Sequence, residues 1–246
     1  MLSDSGELTI PFVTADQMRE VDRAMVEDYG ISLLQMMENA GRGLAHLARG
    51  RFLDGDPRGR RVLVLAGTGG NGGGGLVCAR RLHMWGADVR VWLTSEAPDL
   101  AEVPGHQLAI LERLGVPVQV AHGAVELPPA DLIVDALIGY SLRGAPRDSA
   151  AVLIGVANRH PAPTLALDVP SGLDATTGMG HDPVIKAVAT MTLALPKEGL
   201  RAKEAKDLVG ELYVADIGVP HILYNTPPLE LDVGPLFAEA DILRLR

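Results

Sequence analysis

The chain has a single cysteine, Cys78, so no disulfide can form within it. A fold that does without covalent staples suits a reducing compartment, and a cytoplasmic location is expected. Aromatic residues make up only 4% of the sequence, against 47% for all hydrophobic types, so the core must be built from aliphatic side chains and alanine. Basic residues are outnumbered and the net charge is −9, which argues against a nucleic-acid or anionic-membrane surface, since both need basic patches. No uninterrupted apolar run approaches the roughly 20 residues of a membrane span. The start, Met1 to Glu7, lacks the basic-then-apolar order of a secretory leader. The seven histidines show no transition-metal spacing.

What the chain has in excess is glycine, concentrated in one place. Gly67–Thr68–Gly69–Gly70–Asn71–Gly72–Gly73–Gly74–Gly75 follows the apolar run Val62–Ala66 and precedes Leu76–Leu82. The first run has the length of a buried strand, the second reads as a helix, and the glycines read as a loop between them. Such a loop lets backbone approach a ligand and aims amide N–H groups at anionic oxygens.

Two capping boxes, Thr14 to Gln17 and Ser32 to Gln35, predict helices to about Tyr29 and about Arg51. Within the second, Glu38 and Asn39 place a carboxylate and an amide among apolar neighbours. Beyond Arg61 the pattern alternates. Strands are predicted at Val89–Leu93, Val118–Val120, Leu132–Val134, Thr164–Leu167, Ala189–Leu195 and Glu211–Ala215, with helices through Leu108–Leu114 and Ala150–Asn158. This alternation implies an α/β fold with a mostly parallel sheet and helices on both faces. No linker or repeat interrupts it, so residues 1–246 read as one domain, with 227–246 an edge element or a tail.

In open parallel sheets, ligands sit outside the carboxyl ends of the strands. Three polar stretches fall there: the glycine loop, Asp135 to Gly144, and Asp168 to Asp174. A strand-terminal aspartate alone also caps turns, so their coincidence on one rim carries more weight than either does singly. Oxygen donors from Asn71, Asp135 and Ser171 would suit a hard cation. The loop contains G-x-G-x-x-G, as dinucleotide dehydrogenases do. The acid that would read a ribose, Glu96, lies nearly thirty residues beyond Gly67 instead of about twenty.

Taken in order, the motifs resemble the NAD(P)H-hydrate epimerase family, the YjeF N-terminal domain type, from about Thr14 to Pro220. Leu34–Gly41, Val134–Gly139, Leu167–Leu173, Leu195–Pro196–Lys197 and Leu212–Gly218 each match a family motif. The glycine loop is similar to the family's G-P-G-N-N-G-G-D-G, with Gly70 and Gly74 where the family has Asn and Asp.

The resemblance implies a Rossmann-like three-layer sandwich, commonly a homodimer, that interconverts the R and S epimers of NADHX and NADPHX, reduced cofactors damaged by hydration of the nicotinamide ring. A separate dehydratase then repairs the S form. By motif, Asn71, Asp135 and Ser171 would hold potassium. Gly70, Asn71, Gly72, Gly73 and Gly74 would line the dinucleotide, as would Gly139, Tyr140, Ser141, Leu142, Arg143, Gly144, Ala145 and Asp168. Asp168 would be the acid/base. Restoring the family's carboxylate by Gly74→Asp is expected to preserve folding and tighten NADHX binding. The alternative is a non-catalytic nucleotide-binding or dimeric scaffolding domain of the same fold.

Overall fold

The computed structural model describes residues 10–246. Met1 to Glu7, the stretch that lacks a leader pattern, lies outside the described residues. Both capping boxes form: Thr14 caps helix α1 (Ala15–Glu27) and Ser32 caps α2 (Leu33–Phe52), each paired reciprocally with the glutamine three residues on. Gly30, at φ 68°, turns the chain between them, a conformation that costs glycine no Cβ clash.

Strands β1 (Arg61–Ala66), β2 (Asp88–Leu93), β3 (Val118–Val120), β4 (Leu132–Ala136), β5 (Thr164–Leu167), β6 (Ala189–Leu193), β7 (Glu211–Ala215) and β8 (Ile242–Arg244) form one sheet in the order β3-β2-β1-β4-β5-β6-β7-β8. Every pair is parallel except β7 with β8. The tail thus supplies an antiparallel edge strand. Connecting helices are α3 (Gly70–Met84), α4 (Glu102–Arg113), α5 (Asp148–Arg159), α6 (Lys206–Val209) and α7 (His221–Tyr224).

Strand side chains alternate between two cores. Val62, Val64 and Ala66 pack with α2, α3 and α4 on one face, whereas Leu63 and Leu65 pack with Leu153 and Ile154 of α5 on the other. This is the three-layer arrangement that strands buried on both faces require. A third cluster, built on Val21 and Met25 of α1, covers the carboxyl end of β6 and reaches Leu223 of α7.

Two boundaries differ from the sequence reading. Strand β6 stops at Leu193 because Ala194 takes φ 63°, which no extended ladder accommodates. The glycine stretch is a loop only to Gly69, and Gly70 to Gly75 are the opening turns of α3. Glycine is about 1 kcal/mol worse than alanine in a helix, so packing must compensate. A Cβ on Gly73 would stand 2.4 Å from Met37 Sδ, and one on Gly75 2.5 Å from Ala136 Cβ. The latter half of the stretch lets α3 sink between α2 and the sheet.

Candidate active site

A cavity of about 380 Å³ lies where α1, α2, the start of α3 and the start of α4 meet the carboxyl ends of β5 and β6. Its walls are largely aliphatic, with Met18, Met36, Met37 and Leu167 prominent, and its polar groups include Asp22, Asn71, Asp168 and Lys197.

Asp168 follows β5 directly, with φ at 69° and its amide donating to Met191 O at 2.7 Å. That turn aims the carboxylate inward, where it is 3% exposed. Lys197 Nζ lies 2.5 Å from its Oδ1, and the Tyr140 amide donates to its Oδ2 at 2.9 Å. Lys197 is wholly buried and also donates to Leu193 O at 2.9 Å. A buried ammonium is tolerated only with such partners, and the pair holds each other's charge.

Asp135 is the penultimate residue of β4 and is fully buried behind the cavity. Ser171 gives it two hydrogen bonds, from Oγ at 2.6 Å and from the amide at 2.8 Å, and the Leu137 amide adds a third at 3.2 Å. Burial pushes the carboxyl up to about 6, against the pull of those three donors. Asp135 forms no ion pair among the described residues.

Asn71 is at the start of α3, and its buried Nδ2 has no partner among the described residues. A Cβ on Gly139 would lie 3.0 Å from Asp168 Oδ2 and 3.2 Å from Asn71 Oδ1, so glycine keeps this end of the cavity open. The first amides of α3 have no intrahelical acceptor, and the first such bond is Gly73 N to Gly69 O at 3.1 Å.

Of the residues singled out from sequence, Gly70, Asn71, Gly139, Tyr140, Ser141 and Asp168 line the cavity together. Gly72, Gly73 and Gly74 are buried within α3. Gly74 faces Leu167, whose Cδ2 would stand 2.9 Å from an added Cβ, so a side chain there carries a packing cost. Leu142 is half-buried, while Arg143, Gly144 and Ala145 lie on the exposed continuation of the loop. Glu38 joins Arg80 at 2.6 Å and Gln107 at 3.1 Å, tying α2 to α3 and α4. Glu96 is exposed beside His122, away from the cavity.

Two residues in the cavity have no role that the sequence alone assigns. Lys197 carries a signal, a lysine closing the apolar Leu195–Pro196 step after a buried strand. Asp22 carries little, because a polar residue between Val21 and Met25 fits an ordinary amphipathic helix.

A parallel sheet with a glycine-opened helix and a buried carboxylate–lysine pair at its carboxyl rim defines a Rossmann-like α/β protein with a small-molecule site. Residues 33–199 match the family described as YjeF-related protein N-terminus, and the chain belongs to that family. It is 44% identical, over 95% of its length and 92% of the relative's, to a Dehalogenimonas lykanthroporepellens protein named NAD(P)H-hydrate epimerase. It is 38% identical to the bifunctional NAD(P)H-hydrate repair enzyme Nnr of Moorella thermoacetica, spanning 42% of that protein. The crystal structure of yeast ynu0 is similar in fold, with a TM-score of 0.77 and 25% identity over 96% of this chain and 100% of that one.

Proposed function

We propose that this chain interconverts the R and S epimers of hydrated NAD(P)H, NADHX and NADPHX, as an isomerase of cofactor repair. The observation that carries the reading is the Asp168–Lys197 pair, buried in an apolar cavity beside the open amides of α3. The non-catalytic alternative is not favoured, since relatives matched over most of their length are named NAD(P)H-hydrate epimerase.

The chemistry follows from the substrate. Its hydroxyl sits on the carbon next to the ring nitrogen, whose lone pair supports a transient iminium when the hydroxyl departs. Asp168, ion-paired with Lys197, supplies the negative charge that a developing ring cation needs, in walls of low polarity that strengthen the attraction. Return of the hydroxyl to the other face completes the inversion. The free amides at the start of α3 suit the pyrophosphate of a dinucleotide.

Asn71, Asp135 and Ser171 would offer the hard oxygens that potassium takes, and the reading is supported by Asp135, a buried carboxylate bonded to Ser171 with no cationic partner among the described residues. Those residues would hold potassium, which would supply charge compensation between the loops after β4 and β5, without a redox role. A separate NAD(P)H-hydrate dehydratase as functional partner, and a homodimer measurable by light scattering, complete the proposal.

The test is to supply R-NADHX and follow its approach to the R/S equilibrium by chromatography with potassium present. The expected result is acceleration over the spontaneous rate, lost by about 10²–10³-fold in Asp168→Asn. An Asp168→Asn protein that equilibrates the epimers as fast as wild type removes this residue from the chemistry.

A further inference from the structure

The cavity contains a second carboxyl group in a different environment. Asp22, on α1, is partly buried and lines the cavity with Asp168. Its Oδ2 accepts from the Tyr140 hydroxyl at 2.6 Å, and no donor reaches Oδ1 among the described residues. Asp168, in contrast, has both oxygens engaged by charged or backbone donors. The Lys197 ammonium points its three hydrogens at Asp168 Oδ1, at Leu193 O and, more distantly at 3.4 Å, at Thr192 Oγ1. Neither member of that pair has a proton free to give.

We infer that Asp22 is the proton-transferring residue of this site, with Tyr140 positioning it and Asp168 remaining the ionised counter-charge. This assignment rests on the epimerase reading. Besides Glu102, exposed at the start of α4, two carboxyl groups share the cavity, and their surroundings set their roles: a neutral phenol and an aliphatic wall for Asp22, an ammonium for Asp168. Desolvation raises the Asp22 carboxyl above the usual range, while the Tyr140 hydrogen bond and Lys197 oppose the rise and Asp168 adds to it. Tyr224 from α7 also lies within its field, and Arg19 lies near Tyr140. Tyr140 itself is pushed upward by burial and stays a donor.

In the forward step the Asp22 carboxyl gives its proton to the departing hydroxyl. The C–O bond breaks with its electron pair leaving on water, and the ring nitrogen's lone pair becomes the C=N bond. Water then adds to the opposite face of that carbon, the C=N pair returns to nitrogen, and the proton shed by the entering water returns to the Asp22 carboxylate through cavity water. Protons and electrons balance without a co-reactant.

The experiment measures kcat/KM for R-to-S conversion of NADHX across about pH 5 to 9, after subtraction of the spontaneous rate, for wild type, Asp22→Asn and Tyr140→Phe. Wild type is expected to lose activity as pH rises through the Asp22 pKa. Asp22→Asn is expected to lose at least about tenfold in rate, and its alkaline limb, with its melting temperature and dinucleotide binding kept. Tyr140→Phe removes a bond that favours the carboxylate, so its limb should move to higher pH. A smaller loss or a retained limb in Asp22→Asn overturns the assignment. Should Asp22→Asn fail to fold, an unshifted limb in Tyr140→Phe overturns it, and a limb moved to higher pH supports it. A wild-type protein without activity defeats the epimerase reading itself, a distinguishable outcome.

Discussion

Asp135 and Asp168 stand at the ends of neighbouring strands, both buried, yet the sheet treats them differently. Asp135 is met by neutral donors, chiefly Ser171, and lies behind the cavity. Asp168 is met by the Lys197 ammonium and faces the cavity. The same local pattern, an apolar strand closing on an aspartate, therefore yields a desolvated carboxyl at the end of β4 and an ion-paired carboxylate just after β5. What separates them is one side chain, delivered from after β6.

The sharpest way to break that contrast is Lys197→Met. Removing one partner of a buried ion pair costs about 3–5 kcal/mol, visible as a lowered urea midpoint. Adding Asp168→Asn to it should restore much of the loss, because no lone charge then remains. A single variant as stable as wild type would mean that the pair does not contribute to holding the fold together.

A somewhat smaller effect is expected at Asp135. Its folded pKa, about 6, lies above the ordinary 3.8, so the protonated form is favoured by folding. The stability this group contributes is full below about pH 4 and is lost as pH rises through about 6, a change on the order of 3 kcal/mol. Unfolding midpoints across that window should fall in wild type relative to Asp135→Asn, and potassium should shrink the fall where sodium does not. An equal response to both salts would place the cation elsewhere.

The smallest expected effect is Gly74→Asp. Only the tip of Leu167 stands in the way, so the variant should fold with a loss of about 1–3 kcal/mol and bind NADHX more tightly. Unchanged or weaker binding in a thermal-shift titration would show that the ligand does not meet α3 at Gly74.

Much of this arrangement is legible in the sequence. Capping boxes, alternating buried strands and the three polar stretches at the carboxyl rim are local signals, and the structure places them within a residue or two. The glycine stretch reads as a ligand-binding loop throughout, whereas its second half opens α3 and is chosen for thinness. Composition cannot separate the two, because the demand comes from Met37 and Ala136, distant in the chain. Lys197 lies in a recognisable motif but its role, like that of Asp22, is not legible there for the same reason. Their meaning lies in Asp168 and Tyr140, which are neighbours only in three dimensions.

The most direct test of the whole account uses an equilibrium mixture of R- and S-NADHX with an S-specific dehydratase, followed by recovery of NADH absorbance. Dehydratase alone should consume the S fraction quickly and then slow to the spontaneous rate. With this chain present the recovery should run to completion at the fast rate. A trace that still stalls at the S fraction, with potassium in the buffer, would contradict the assignment of this chain as the epimerase.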